Sequence, residues 1–183
     1  KNKAIFLDRD GVINKEINYL HKIEDFEFTK NCIEALKILQ LKGYLLFVIT
    51  NQAGIGRGYY TESDFNDLNS WMLTKLKQKG VFIKDTRYCP HHADSGIGKY
   101  KVDCECRKPK IGMLTYLIDK YDIDIGNSIL VGDKMSDINA GFSAQIGALI
   151  LVRSGHQLPR EIPDYVSRVC EHLFEYANSM VEK

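Results

Sequence analysis

Asp8-Arg9-Asp10-Gly11 follows directly on the apolar run Ala4-Ile5-Phe6-Leu7. Two carboxylates one residue apart at the end of an expected strand repel each other unless a cation or a proton sits between them. They also lie where open α/β sheets put their ligands, at the carboxyl edge of a strand. A covalent phosphoryl transfer can use both, one Asp as nucleophile and the other as acid and base. Read alone, Asp10-Gly11 is better taken as a turn, so the case rests on what else the chain supplies.

Three further polar clusters flank expected elements. Thr50-Asn51-Gln52 ends the apolar run 44–49, Arg107-Lys108-Pro109 precedes a helical pattern at 111–121, and Gly132-Asp133-Lys134 follows Ile129-Leu130-Val131. Asp137 stands four residues beyond Asp133. Each has a bland alternative: a strand-end hydroxyl, a solvated lysine, a helix cap. Their joint occurrence argues against all of these at once.

Three of the five cysteines crowd one stretch: Cys89-Pro90-His91-His92 and Cys104-Glu105-Cys106. Three cysteines and one histidine suit a tetrahedral Zn²⁺, and four protein ligands make a closed, structural site. His91 and His92 compete for the fourth position. Such a site would fold the loop 89–106 and place Arg107 and Lys108 just after its last ligand. Cys32 and Cys170 read as small hydrophobes in helices.

The elements that must position these groups alternate. Strands are expected at 4–8, 44–49, 81–88, 128–131 and 148–152. Helices are expected at 31–42, 61–79, 111–121, 137–145 and from about 167, with a loop at 50–60 and another from Cys89 to Lys110. Continuous apolar strands alternating with amphipathic helices predict an α/β fold, a Rossmann-like parallel sheet with helices on both faces. If the strands are parallel, the polar clusters converge on one edge.

The 183 residues fit one domain, 1–183, with the zinc-stapled loop as an insertion and no segment long enough for a separate cap domain. The loops 16–22, 51–59 and 89–108 would then shape specificity. A net charge of +1 offers no bulk argument for nucleic acid or an anionic membrane, and no apolar run approaches the ~20 residues that span a bilayer. The N-terminal run lacks a signal-peptide cleavage pattern. The expectations are a cytoplasmic setting, no nucleic-acid or membrane partner, and a monomer.

In their order and strand context, Asp8-x-Asp10-Gly11, Thr50, Lys108 and Gly132-Asp133-x-x-x-Asp137 resemble the four motifs of the haloacid dehalogenase (HAD) superfamily. The resemblance runs through residues 8–137. It implies a Mg²⁺-dependent phosphatase with an aspartyl-phosphate intermediate. Asp8 would be the nucleophile and Asp10 the acid and base. Asp8, Asp133 and the main-chain carbonyl of Asp10 would hold Mg²⁺. Lys108 and Thr50 would steady the phosphoryl oxygens, and Asp137 would orient Lys108 or a metal-bound water.

The cysteine stretches, Thr50-Asn51-Gln52-x-Gly54-Ile55-x-Arg57-Gly58 and Asp8 to Asn14 further resemble the branch that removes the C7 phosphate of heptose 1,7-bisphosphates, on the way to lipopolysaccharide. That resemblance favours His91 over His92 as the zinc ligand. The histidinol-phosphate phosphatases share the fold and zinc loop and stand as the alternative. A non-enzymatic zinc-binding interaction module is a third reading, and it leaves Asp8, Asp10, Asp133 and Lys108 unexplained. A small-molecule sugar bisphosphate needs a cation for its second phosphate. Arg107 is the first candidate and Arg57 the second, since guanidinium grips phosphate bidentately. Asn51, Gln52 and Lys134 complete the expected binding set, with Glu16 and Tyr19 facing the sugar by resemblance.

Overall fold

A computed structural model describes residues 1–181. The elements are β1 (Ala4–Leu7), α1 (Cys32–Leu41), β2 (Leu45–Asn51), α2 (Ala53–Gly56), α3 (Glu62–Gln78), β3 (Ile83–Cys89), α4 (Gly112–Tyr121), β4 (Ile129–Gly132), α5 (Met135–Ser143), β5 (Ala148–Val152), β6 (Arg168–Cys170) and α6 (Leu173–Ser179). The six strands form one sheet in the order β3-β2-β1-β4-β5-β6. Every pairing is parallel.

The strands read as unbroken apolar runs because both sheet faces are covered. Ile5 and Leu7 of β1 join Leu46 and Val48 of β2 in a core that includes Leu36 of α1, Leu68 and Met72 of α3, and Leu173 of α6. Ala4 and Phe6 face the other way with Phe47, against Leu117 of α4 and Ile138 of α5. Thr61 caps α3 by accepting the Asp64 N–H at 3.0 Å, while the Asp64 side chain accepts the Thr61 N–H at 2.9 Å. That reciprocal pair fixes the helix start. Among the described residues no helix is long and apolar enough to cross a membrane.

From β1 the chain winds outward to β2 and β3, and from β4 outward in the opposite direction to β5 and β6. The reversal lies between β1 and β4, and the carboxyl ends of that pair open a crevice where such sheets bind ligands. Asp8 and Asp133 stand at those two ends.

Three segments differ from the sequence expectation. The 50–60 loop contains the short helix α2, a single turn. Helix α5 starts at Met135, earlier than 137, and ends at Ser143. The tail is not helical from 167. Residues 168–170 pair with β5 as an edge strand, and α6 starts only at Leu173, where His172 Nδ1 accepts the Glu175 N–H at 3.1 Å. Cys170 therefore lies in a strand, although it is buried like Cys32.

Candidate active site

The strand ends bring together three carboxylates and one ammonium. Asp8 extends β1, Asp133 follows β4, Asp137 lies in the first turn of α5, and Lys108 comes from the loop before α4; all four are buried. Lys108 Nζ lies 2.7 Å from Asp137 Oδ1 and 3.2 Å from Asp8 Oδ1, and it donates to the Ile49 carbonyl at 2.8 Å. Asp137 Oδ2 accepts the main-chain N–H groups of Asp133 and Lys134 at 3.1 and 3.2 Å. Asp137 therefore anchors Lys108 and stitches the end of β4 to α5. Gly132 permits that closeness: a Cβ there would come 2.2 Å from the Asp137 Cβ.

The charges do not balance. Burial, reinforced by the charge of Asp137, raises the pKa of Asp8 well above the usual carboxylate range, and Lys108 offsets this only in part. Burial and Asp137 likewise lift Asp133 to about 6. Burial works against the Lys108 charge, yet Asp137 and Asp8 outweigh it and push its pKa up. One lysine thus faces three carboxylates, and Asp133 Oδ1 is buried without a hydrogen-bond partner. Oxygen ligands from Asp8, Asp133 and Asp137 lie within 4.8 Å of one another. A surplus of buried negative charge, offered through oxygen, fits a hard divalent cation such as Mg²⁺.

Asp10 is held apart from this set. Its Oδ1 accepts from Asn14 Nδ2 at 3.0 Å and from Arg9, and its Oδ2 accepts from Gln52 Nε2 at 3.1 Å. Arg9 is buried with its guanidinium over the Phe65 ring. Gln52 Nε2 also donates to Thr50 Oγ1 at 2.9 Å, while Tyr60 donates its hydroxyl to Gln52 Oε1. Asn51 donates to the Lys108 carbonyl at 3.1 Å and accepts the Lys108 N–H at 3.0 Å. Both amides are therefore engaged with the protein: Gln52 holds Asp10, and Asn51 holds the Lys108 backbone.

A cleft of about 530 Å³ opens over these groups. Asp8, Asp10 and Lys108 line it, as do Glu16, Tyr19, Asn51, Gln52, Arg57, Arg107 and Lys134. Thr50 and Asp133 are buried and do not line it. Arg57 Nε and Arg107 Nη1 are buried without partners, so the cleft carries two guanidiniums with free donors. Burial and the nearby Asp10 charge raise Glu16 to about 7. His156, Ser136 and Asn18 also line the cleft and were not anticipated from the sequence. His156 Nδ1 lies 2.7 Å from Asp133 Oδ2. Its one sequence signal was position, four residues past the end of β5 on the same edge as the other clusters.

Behind the cleft the 89–106 segment folds onto itself. Cys89, His91, Cys104 and Cys106 form a second group of candidate ligands. Cys89 Sγ lies 3.6 Å from His91 Nδ1 and 3.4 Å from Cys104 Sγ, and His91 Nδ1 lies 3.3 Å from Cys106 Sγ. These approach the edges of a tetrahedron with metal–sulfur bonds of about 2.3 Å. Cys89 and Cys106 are closer, at 2.7 Å, without a disulfide. Four donors of this softness on one loop fit Zn²⁺. His92 turns away: its Nδ1 accepts the N–H groups of Asp94 and Ser95 at 3.2 and 3.0 Å.

A parallel sheet carrying this acidic cluster at its reversal defines a phosphatase of the HAD type. The model of the polynucleotide kinase 3 phosphatase family matches residues 3–165, and the chain belongs to that family. It is 55% identical over 174 residues to the D-glycero-alpha-D-manno-heptose-1,7-bisphosphate 7-phosphatase of Photorhabdus laumondii, covering 95% of this chain and 94% of that protein. It is 47% identical to the D-glycero-beta-D-manno-heptose-1,7-bisphosphate 7-phosphatase of Haemophilus influenzae, over 90% of this chain and 91% of that protein. Among solved structures, the D,D-heptose 1,7-bisphosphate phosphatase of B. bronchiseptica, complexed with magnesium and phosphate, superposes with a TM-score of 0.83 at 27% identity. The match covers 98% of each chain.

Proposed function

We propose that this protein is a Mg²⁺-dependent phosphatase that removes the C7 phosphate of a D-glycero-D-manno-heptose 1,7-bisphosphate, leaving the 1-phosphate and inorganic phosphate. The observation that carries the reading is the placing of Asp8 against Lys108 in a cluster short of positive charge, with Asp10 held separately on the same cleft wall. Heptose-bisphosphate phosphatases more than 40% identical over nearly the whole chain supply the substrate.

Asp8, Asp133 and the main-chain carbonyl of Asp10 would hold Mg²⁺, which would neutralise charge on the phosphoryl oxygens. Asp8 attacks phosphorus in line; its bond to phosphorus forms as the bond to the sugar C7 oxygen breaks. Asp10 gives that oxygen its proton. The Arg9, Asn14 and Gln52 contacts fix Asp10 for this step, because a general acid must sit within hydrogen-bond reach of its target. Asp10, now a carboxylate, takes a proton from water. The water oxygen attacks the aspartyl phosphate, phosphate leaves, and Asp8 is regenerated. Lys108 steadies the phosphoryl oxygens, held in place by Asp137 and by Asn51 on its backbone. Thr50, tied to Gln52, flanks the same group.

Arg107 and Arg57, with their unpaired buried donors, grip the second phosphate. Glu16, Tyr19 and Lys134 contact the sugar from the rim. The Cys₃His group binds Zn²⁺ and closes the loop whose next two residues are Arg107 and Lys108. The reading extends to a monomer working in the cytoplasm on the route to lipopolysaccharide. The test is phosphate release from both anomers of the bisphosphate, with histidinol phosphate alongside, at saturating Mg²⁺. Hydrolysis of the bisphosphate that is lost in both Asp8→Asn and Asp10→Asn supports the reading. Wild-type turnover in both variants, or a preference for histidinol phosphate, overturns it.

A further inference from the structure

Asp133 is the least exposed of the acidic residues among the described ones, and the most one-sided. Its side chain is 0% accessible. One oxygen, Oδ2, accepts from the main-chain N–H of His156 at 3.2 Å and meets the His156 ring at Nδ1, 2.7 Å away. The other, Oδ1, has no hydrogen-bond partner. The backbone is shaped to allow this. A Cβ on Gly155 would come 2.0 Å from Oδ2, and one on Gly11, which has φ +89°, would come 2.3 Å from it. Ser154 Oγ donates to the Gly11 carbonyl at 2.6 Å, tying the turn after β5 to the turn after β1. Two turns from opposite sides of the sheet reversal therefore press His156 onto a single carboxylate oxygen.

We propose that His156 is a positioning residue: it engages Asp133 Oδ2 and so presents Oδ1 alone to the divalent cation. The inference rests on the reading of Asp8 and Asp133 as cation ligands. A carboxylate oxygen can only accept, so the ring proton sits on Nδ1 and the Nε2 edge faces Glu16, whose Oε1 is 4.0 Å away. Mg²⁺ demands near-octahedral geometry and is bound through one or two carboxylates with retained waters. An Asp free to rotate could offer both oxygens. Groups that orient a ligand from behind set metal affinity, and their removal costs about 10–100-fold.

The experiment is calorimetric titration of MgCl₂ into the zinc-retaining protein at one fixed pH, paired with phosphate release as a function of Mg²⁺. His156→Ala is expected to raise the Mg²⁺ dissociation constant about 10–100-fold, with kcat recovering at saturating Mg²⁺. His156→Asn, whose amide N–H can stand where Nδ1–H stood, is expected to recover most of the affinity. It also serves if the alanine variant folds poorly. A role in packing alone would lower thermal stability and leave Mg²⁺ affinity unmoved. Asp133→Asn is the reference. If it loses Mg²⁺ while His156→Ala binds as wild type, the positioning role is overturned and the metal site stands. If Asp133→Asn also binds as wild type, the metal site itself is misplaced and the inference falls with it.

Discussion

The chain builds two polar clusters only a few residues apart in sequence, one buried and one half-buried, and they are opposites. The carboxylate set is assembled from distant strand ends: Asp8 after β1, Asp133 after β4, Lys108 brought across from before α4. The Cys₃His set is assembled locally, within 89–106, from one strand terminus and one loop. The first is hard, charged and open to a cleft; the second is soft and closed by its own four ligands. The sheet holds the first in place whether or not a cation is there, because its backbone is fixed by strand pairing and its lysine by Asp137 and Asn51. The loop around the second has no long element of its own; a turn of 3₁₀ helix at Gly98–Tyr100 is its only regular structure. One cluster is positioned by the fold; on the proposed reading, the other does the positioning for a stretch the fold leaves irregular. They meet at Cys106-Arg107-Lys108, where one ends and the other begins.

The largest expected effect breaks the first cluster without touching the second. Asp8→Asn should cut turnover on the order of 10⁴-fold or more, since on the proposed mechanism no neighbour can replace Asp8 as nucleophile. Zinc content should stay at one per chain, and the melting temperature should hold or rise because a repelled buried carboxylate is gone. Phosphate-release kinetics with metal analysis checks this, and a loss of zinc in Asp8→Asn would mean that the two clusters are not independent.

The reverse experiment should be weaker in rate and stronger in stability. Cys106→Ser should lose zinc and lower the melting temperature. It should also reduce kcat/KM on the order of 10–100-fold as Arg107 and Lys108 lose their anchor. Chelating Mg²⁺ alone should abolish turnover reversibly with little change in melting temperature. Thermal unfolding with and without each metal separates the two. A Cys106→Ser enzyme of full activity would remove the loop from any part in placing Lys108.

Much of this contrast was legible in the sequence, for a physical reason. Strand-end clusters declare themselves because each follows an apolar run directly, and the Cys/His cluster because its spacing has few other uses. The direction in which a side chain turns was not legible. Asn51 and Gln52 read as substrate contacts, and both line the cleft, but their amides serve Lys108 and Asp10. His156 stood at a strand end like the others, yet a single histidine with no acidic neighbour in sequence carries no spacing to notice. Residues 168–170 read as part of a helix because three residues, Arg168-Val169-Cys170, are too few to show a period of two.

A smaller effect sharpens the electrostatic side. Burial first, and the Asp10 charge second, raise Glu16 from 4.5 to about 7 in the folded state. The native protein then holds a proton that the unfolded chain has released between those values. Linkage makes the stability of Mg²⁺-free protein fall as pH rises from about 4.5 through about 7; the contribution is full below the unfolded pKa and gone above the folded one. With solvent screening allowed for, the slope amounts to on the order of 1 kcal/mol. Denaturant titrations across this range should show it on top of the parallel fall from Asp8 and Asp133, whose pKa values are also raised, and Glu16→Gln should make the fall shallower. An unchanged slope would move the effect onto other buried carboxylates.

The smallest effect sharpens the loop itself, at two adjacent histidines. His91 Nδ1 lies within 3.6 Å of two cysteine sulfurs, whereas His92 Nδ1 accepts two backbone N–H groups in the turn at Asp94 and Ser95. His91→Ala should therefore lose zinc, while His92→Ala should keep it. His92→Ala frees two N–H groups at the protein surface, where water can take them. The cost should be only about 0.5–1.5 kcal/mol, read as a small drop in melting temperature with kcat/KM nearly unchanged. Zinc analysis of the two variants side by side decides the matter, because adjacency in sequence gives both the same loop and the same exposure to the experiment. Loss of zinc from His92→Ala with retention in His91→Ala would exchange their roles, and the turn at residues 92–95 would then have to reorganise when metal binds.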